Sequence, residues 1–362
     1  MTDHPYKSLP SKAFWRRAVS APAPVEVDPV GVFNLRITPE TKVATAGSCF
    51  AQHIARHLQK SGFNYYVTEE GHPILPPEVK DKHHYGLFSA RYGNIYTARQ
   101  LIQLFLRAYG AFTPSEDAWK EADGRVLDPF RPTVQPGGFV SLAEMRADRA
   151  QHFAAVRHML ETCDVFVFTL GLTECWASID DGAVFPLCPG VEGGTFDLDR
   201  HVFYNQTAED VTADMSAFIE GLKRVNPQAQ IVLTVSPVPL MATADPGAHV
   251  LTATTYSKAV LRVAAETLRR RFPHVHYFPS YEIITGAFNR GAYYGDDLRN
   301  VTEGGVGHVM RLFLQHAAGV SEGSPARPAT ALAEKPGRSA LSQAAQIVEV
   351  ECDEEALGQF AG

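Results

Sequence analysis

The feature that most constrains the fold is a helical pattern that runs directly into a short apolar strand. Residues 141–162 open with Ser141 followed three positions later by Glu144, the capping-box pattern of a helix start. Residues 164–170 then form a continuous apolar run of the kind that is buried in a parallel sheet. Two more helix and strand pairs follow, at 208–225 with 230–235 and at 252–272 with 275–278.

Two further strand patterns lie near the start of the chain. Residues 42–46 are a β-prone run that leads through Gly47 into a helical pattern, and residues 64–68 form a second short strand. Strands that alternate with helices predict an α/β fold in three layers, α/β/α and flavodoxin-like, with a mainly parallel five-stranded sheet. In such sheets, sites lie beyond the carboxyl ends of the strands.

The domain boundaries follow from composition. Residues 1–35 carry five prolines and predict an extended N-terminal arm, whereas residues 36–317 hold the α/β domain. An insertion at about 70–140, after the second strand, is rich in turn residues. Residues 318–362 begin with a stretch rich in Ala, Ser, Gly and Pro that lacks aromatics, which predicts a flexible C-terminal tail.

Composition argues against several classes of partner. The chain has 33 basic and 40 acidic residues that are interspersed, with a net charge of -7, so no nucleic-acid partner is expected. No stretch approaches the roughly eighteen apolar residues of a membrane span. Five widely spread cysteines, an odd number, favour a reduced, cytoplasmic setting.

Ser48 is the first candidate for chemistry. It follows the first strand in Ala44-Thr45-Ala46-Gly47-Ser48-Cys49-Phe50-Ala51, where the start of a helix offers free N–H groups to a developing oxyanion. The alternative is that Ser48 only caps the helix. Cys49 is a less favoured second nucleophile, and a buried structural role suits it better.

These residues resemble the motif of the GSCFA-domain family, which is related to the SGNH (GDSL-like) serine hydrolases. The likeness extends over about 40–315 and includes other blocks. These are Arg-Tyr-Gly-Asn-Ile-Tyr at 91–96, Thr-Leu-Gly-Leu-Thr-Glu-Cys-Trp at 169–176, Thr-Val-Ser-Pro at 234–237, Tyr-Ser-Lys at 256–258 and Tyr-Phe-Pro-Ser-Tyr-Glu at 277–282.

The resemblance implies an SGNH-type fold and assigns roles to individual residues. Ser48 would be the nucleophile, its own N–H would help to hold the oxyanion, and Gly93 and Asn94 would be further donors. Where SGNH enzymes carry Gly-x-Asn-Asp, this chain has Gly-Leu-Thr-Glu at 171–174, so Thr173 would donate through its hydroxyl. Glu174 and Trp176 would line the substrate site or, alternatively, have structural roles.

The last SGNH motif, Asp-x-x-His, is altered in this chain. Asp297 is present, but Asn300 stands where the base histidine belongs, and an amide does not accept the serine proton as imidazole does. The nearest substitute is His308, paired with Asp297 or Asp296. The alternatives are that His308 is a structural histidine, or that Asn300 marks an impaired enzyme.

The predicted function is therefore a serine-dependent esterase acting on O-acyl esters, including O-acetyl esters of carbohydrate. Its partner would be a small-molecule or glycan ester. The alternatives are an O-acyltransferase on the same scaffold and a binding or scaffold protein without turnover. The histidine and cysteine spacing indicates no metal site, no cofactor is expected, and the sequence does not predict the oligomeric state.

Overall fold

The computed structural model describes residues 4–319 and 356–357, and the chain divides into two compact units. The larger unit comprises Thr38–Tyr277 with Val350–Gly362, and the smaller one comprises Met1–Ile37 with Phe278–Glu349.

The larger unit contains two sheets, a short hairpin and six helices among its described residues. Its strands are β1 (Val43–Gly47), β2 (Trp119–Lys120), β3 (Val126–Leu127), β4 (Val165–Leu170), β5 (Glu174–Ser178), β6 (Val184–Phe185), β7 (His201–Asn205), β8 (Gln230–Val235) and β9 (Val275–Tyr277). Its helices are α1 (Phe50–Lys60), α2 (Pro77–Lys82), α3 (Ala98–Ala108), α4 (Leu142–Thr162), α5 (Ala208–Val225) and α6 (Val250–Arg271).

The parallel sheet has the order β1-β4-β8-β9, so the predicted α/β class with a mainly parallel sheet is confirmed. The predicted count of five strands is wrong, because the described residues of this sheet form four. The pattern at 64–68 contributes only an isolated parallel bridge between Val43 and Tyr65. Thr68 turns away from β1, since its N–H and its hydroxyl both donate to the carbonyl of Ser89.

The strands and helices around the sheet follow the predicted periodicity. Helix α4 begins after Ser141, whose hydroxyl accepts a hydrogen bond from the Glu144 N–H at 3.1 Å, and it leads into fully buried β4. The aromatic ring of Phe166 on β4 lies 5.3 Å from that of Phe218 on α5. Burying such large apolar side chains between sheet and helices is the main source of stability here.

A three-stranded antiparallel sheet of order β6-β5-β7 was not predicted from the sequence. Three residues separate the end of β4 from the start of β5, and the register of β5 on β7 pairs Glu174 with Asn205 and Trp176 with Phe203. This sheet therefore carries Glu174 and Trp176 on strands separate from the parallel sheet. The short β2–β3 hairpin lies in the segment that was predicted to be irregular.

The smaller unit contains helices α7 (Ser280–Thr285) and α8 (Glu303–Ala318). The predicted N-terminal arm starts with short helical turns, and its later residues are extended. Phe33 of this stretch packs edge-on against Phe278 and Phe313, and the Ile37 N–H donates to the Ala317 carbonyl. The arm is therefore anchored through buried aromatic contacts.

Most of the predicted flexible tail lies outside the described residues, which resume only at Ala356 and Leu357. Within the described part of the chain, no helix combines the length and apolarity needed to traverse a lipid bilayer.

Candidate active site

The tight turn between β1 and α1 fixes the position of Ser48. Gly47 has a φ of +136°, and a Cβ atom placed there would lie only 2.8 Å from the backbone nitrogen of Thr169 on β4. Only glycine adopts this conformation readily. Gly47 therefore allows β1 to approach β4 closely and to turn immediately into Ser48.

Ser48 is buried with its hydroxyl unpaired. It is 3% exposed, and its Oγ forms no hydrogen bond with any described residue. The side chain does not cap α1, since the N-cap position is Cys49 and no side-chain cap bond is made there. The capping alternative is therefore wrong, and the hydroxyl is left without a structural hydrogen bond.

The Ser48 N–H is not free to act as an oxyanion donor in this structure. It donates to the carbonyl of Thr169 at 3.2 Å. An oxyanion hole requires donors that point at the position where negative charge develops. Donation from this N–H to an oxyanion would require that bond to break, and its predicted role stays a prediction.

Two of the sequence blocks meet at Ser48. The Ile95 N–H donates to the Gly47 carbonyl at 2.8 Å, and the Tyr96 carbonyl accepts from the N–H groups of Gly171 and Leu172 at 3.1 and 2.9 Å. A Cβ atom on Gly171 would lie 3.0 Å from the Cβ of Ser48. The structure thus brings the 91–96 and 169–176 blocks together around the serine.

Gly93 and Asn94, the other predicted donors, lie in this same loop. Gly93 has a φ of +71°, with open space where its Cβ would be, and its N–H makes no hydrogen bond to another described residue. Asn94 is buried, and its Oδ1 accepts a 3.5 Å hydrogen bond from the Nε2 of Gln52. Their role as donors to a substrate stays a prediction.

Ser257 and Lys258 belong to the same assembly, which the sequence did not reveal. Lys258 is 1% exposed, and its Nζ donates to the Gly171 carbonyl at 2.7 Å. The Ser257 hydroxyl accepts from the Thr173 N–H at 3.1 Å. Helix α6 therefore fixes the loop that follows β4, through two buried side chains.

The hydroxyl of Thr173 is already engaged. It donates to the Oδ1 of Asn205 at 2.6 Å, and the residue is fully buried. A hydroxyl has a single proton to donate. In this arrangement, Thr173 stabilises the junction between β4 and the antiparallel sheet, and its predicted donation to an oxyanion would require that bond to break.

Glu174 and Trp176 line a groove with a volume of about 260 Å³. The Glu174 carboxylate accepts from the Thr243 hydroxyl at 2.7 Å and from the Ala244 N–H at 3.2 Å, and burial raises its pKa. The Trp176 ring packs edge-on at 5.0 Å from Phe196. The remaining apolar lining includes Leu172, Phe185, Phe203, Leu240 and Leu357.

In the smaller unit, both ring nitrogens of His308 are occupied. Nε2 lies 3.0 Å from the Val27 carbonyl and must donate to it, so Nδ1 accepts from the Tyr293 hydroxyl at 2.8 Å. Burial lowers the pKa of His308 to about 4. These contacts are those of a structural histidine, and its role as a base stays a prediction that requires one bond to break.

Asp297 pairs with Asn300 instead of His308. Asp297 Oδ2 accepts from the Asn300 Nδ2 at 2.7 Å, and its Oδ1 accepts from the backbone N–H groups of Arg299 and Asn300. The expected hydrogen bond between His308 and Asp297 is therefore absent among the described contacts. The carboxylate closes a local turn with the asparagine that replaces the motif histidine.

His53 is a buried imidazole near Ser48 in sequence, on helix α1. It is 3% exposed, its Nδ1 has no hydrogen-bond partner among the described residues, and burial lowers its pKa to about 3. Ser48 precedes the N-cap and His53 is the fourth residue of α1. These are the N′ and N4 positions of the helix, where hydrophobic side chains often pack against each other.

The cysteines differ from the expectation of a fully reduced set. Cys49 is disulfide-bonded, whereas Cys163, Cys175 and Cys188 are free. Cys49 therefore presents no thiolate, and the cysteine-based argument for a reducing compartment fails at this residue. Among the described residues, no group of three or more His, Cys, Asp and Glu side chains is placed to hold a metal ion.

Comparison with protein families tests whether this chain is related to the family that its motifs resemble. The GSCFA family model matches residues 42–313, which is most of the chain. The chain belongs to the GSCFA family. The matched range contains Ser48, both loops that meet it, the Ser257–Lys258 pair and His308.

Similarity to individual known proteins is weak. No curated protein matches this GSCFA chain in sequence. One similar solved structure is an acetyl xylan esterase, Est2A, from the rumen bacterium Butyrivibrio proteoclasticus, at 14% identity and a TM-score of 0.23. The alignment covers 68% of this chain and 56% of the esterase. A likeness at that TM-score transfers neither fold nor function.

Proposed function

We propose that this GSCFA chain is a serine-dependent esterase that hydrolyses O-acyl esters, with Ser48 as its nucleophile. The observation that carries the proposal is the Ser48 hydroxyl, buried at the carboxyl end of β1 and without a hydrogen-bond partner among the described residues. A buried polar group without a partner costs free energy. A hydroxyl held ready for a substrate accounts for that cost.

In this mechanism, the Ser48 oxygen attacks the ester carbonyl carbon while its proton passes to an imidazole. The Gly93 N–H and Asn94 would hold the resulting oxyanion. When the tetrahedral intermediate collapses, the bond to the alcohol oxygen breaks and that oxygen takes the proton from the imidazole. Water then attacks the acyl-serine by the same steps, which releases the acid and restores the hydroxyl.

We favour His53 over His308 as the imidazole. A base needs a nitrogen lone pair that is free to accept, and the Nδ1 of His53 has no partner among the described residues. Both nitrogens of His308 form hydrogen bonds to Val27 and Tyr293. His308 nevertheless remains the candidate that the altered Asp-x-x-His motif indicates.

Glu174 and Trp176 would contact the substrate in the groove. A carboxyl beside an aromatic ring offers both hydrogen bonding and an apolar face, which suits a sugar or another hydroxylated alcohol. Acyl transfer to a sugar hydroxyl would use the same acyl-serine, so analysis of products formed with and without a sugar acceptor distinguishes an esterase from an O-acyltransferase.

The test is labelling with a fluorophosphonate together with hydrolysis of p-nitrophenyl acetate. Native protein and the control variant Ser61→Ala, which changes an exposed serine at the end of α1, should both react. Ser48→Ala should lose labelling and turnover while it remains folded. Turnover by Ser48→Ala equal to that of the control would overturn the proposal.

The base is assigned by comparing His53→Gln with His308→Gln. Our assignment predicts a loss of at least about a hundredfold in kcat for His53→Gln, the usual size of a general-base effect. His308→Gln should retain kcat. The reverse result would restore the role predicted for His308.

A second candidate function is ligand binding without turnover, and Asn300 favours it. The asparagine stands at the motif's histidine position and is hydrogen bonded to Asp297. This candidate predicts that native protein is inactive toward esters, is not labelled at Ser48, and gains activity on Asn300→His.

A further inference from the structure

A small chamber in the larger unit contains a buried arginine without an acidic partner. The chamber has a volume of about 30 Å³ and lies between α3, α4 and the segment around Phe130. Arg107 lines it and is 8% exposed. Its guanidinium carbon lies 3.8 Å from the centre of the Phe130 ring and 5.2 Å from that of Phe153. No described residue forms a hydrogen bond or an ion pair with this guanidinium.

The nearby carboxylates are already committed to other arginines. Asp128 is shared by Arg131, at 3.1 Å, and Arg149, at 3.0 Å. Asp148 is shared by Arg91, at 2.9 Å, and Arg131, at 2.8 Å. These carboxylates already pair with other arginines. Arg107 therefore has aromatic faces around it and only more distant attractions to Asp128 and Asp117.

The charge on Arg107 is costly in this environment. Burial lowers its pKa to about 9, which still leaves the group a cation at neutral pH. A buried charge without a close counter-ion destabilises a folded protein. The aromatic stacking offsets part of this cost. An anion seated in the chamber would offset more of it.

We propose that the chamber binds a small carboxylate, such as acetate or propionate, through the Arg107 guanidinium. Guanidinium and carboxylate are planar and match as a two-pronged hydrogen-bonded pair. Stacking on Phe130 occupies the face of the guanidinium and leaves its edge for the ligand. The side chains of Ile95, Leu104 and Pro186 provide an apolar wall for a methyl or ethyl group. This site does not depend on the function proposed for Ser48.

The ligand is tested by thermal unfolding of the full chain at constant ionic strength. Acetate and propionate should raise the Tm progressively as their concentration exceeds Kd, because a ligand that binds only the folded state stabilises it by mass action. Acetamide has the shape of acetate without its charge and should have no effect. Equal Tm shifts with acetamide or chloride would overturn the assignment of a carboxylate site.

The residue is tested by substitution. Arg107→Gln should abolish the acetate-dependent Tm shift, and Arg107→Lys should raise the acetate Kd about tenfold because it keeps the charge but loses the planar fork. Arg269→Gln changes a surface arginine of α6 that pairs with Glu266 and should leave the shift intact. An unchanged acetate Kd in both Arg107 variants would contradict the proposal. If Arg107→Gln does not fold, the Lys variant and the acetamide comparison decide the outcome.

Discussion

The Nζ of Lys258 donates a hydrogen bond to the carbonyl of Gly171, and Gly171 lies directly against Ser48. A lysine buried to this degree is rare unless it forms specific contacts. Helix α6 thereby fixes the backbone that faces the proposed nucleophile, and the neighbouring Ser257 fixes the same loop at Thr173.

Lys258→Met should destabilise the protein by about 1–3 kcal/mol, because a buried carbonyl loses its hydrogen-bond donor. The free energy of unfolding, measured in urea, checks this. Lys60→Met, which changes an exposed lysine at the end of α1, serves as the control. Equal stability of the two variants would mean that the bond to Gly171 contributes nothing to folding.

Gly47→Ala should destabilise the fold more than a glycine to alanine change at a position that has a positive φ but open space around it. The new Cβ would lie 2.8 Å from the Thr169 nitrogen at a φ of +136°. Gly62 is the matched control, since it has a φ of +77° and open space around it. Gly62→Ala should cost about 1–3 kcal/mol from backbone strain alone, and Gly47→Ala should cost clearly more by thermal unfolding.

Asp128→Asn should be severely destabilising, by about 3–5 kcal/mol, because it leaves two buried guanidinium groups with a neutral partner. The carboxylate lies between Arg131 and Arg149, which hold its pKa well below the usual range. Asp180→Asn, at an exposed aspartate, should change the urea midpoint little. A small effect of Asp128→Asn would show that the arginines find other acceptors.

Stability should fall as the pH drops from 6.5 towards 4. Burial lowers the pKa of His53 to about 3 and that of His152 to about 4. In the unfolded chain, both would titrate near about 6.5. In this pH range the unfolded state therefore binds protons that the native state does not bind. Each histidine lowers the free energy of unfolding by up to about 1.4 kcal/mol for each pH unit of acidification.

The free energy of unfolding, measured at pH 7, 6 and 5, tests this dependence. Above the pKa of the unfolded histidines, both states are deprotonated and the contribution to the slope disappears. His53→Leu should remove roughly half of the slope of unfolding free energy against pH that His53 and His152 contribute together. His4→Gln, at an exposed residue, should leave the slope unchanged. A His53→Leu slope equal to that of the native protein would contradict burial of a neutral imidazole.

The local periodicity of the chain was sufficient to predict the parallel sheet and its helices. Helix α5 and strand β8 match the predicted ranges, since an amphipathic helix and an apolar strand are encoded within each segment. The strand predicted at 64–68 is reduced to a single bridge. Asn64 and Tyr66 bond to Val43, but Thr68 bonds to Ser89, a pairing that nothing in the local sequence indicates. The antiparallel sheet was missed for the same reason, because its register depends on pairing between Trp176 and Phe203.

Positions of the candidate site that follow from local backbone pattern could be predicted from the sequence. Positions that depend on which side chains become buried could not. The strand, glycine and helix pattern indicated the position of Ser48, and the resemblance to the GSCFA family indicated the 91–96 loop; their catalytic roles stay predictions. Lys258 is charged and His53 lies on a helix, and nothing local indicates that either is buried. Cysteine spacing alone does not reveal that Cys49 is disulfide-bonded.

The separation of the two sheets has a consequence for how such proteins diversify. Glu174, Trp176 and Phe203 stand on the antiparallel strands, whereas Gly47 and Thr169 belong to the parallel sheet. Replacing side chains on β5 and β7 reshapes the groove and leaves the framework behind Ser48 untouched. New ligand preferences can therefore arise in this family by exchange of one small, peripheral sheet.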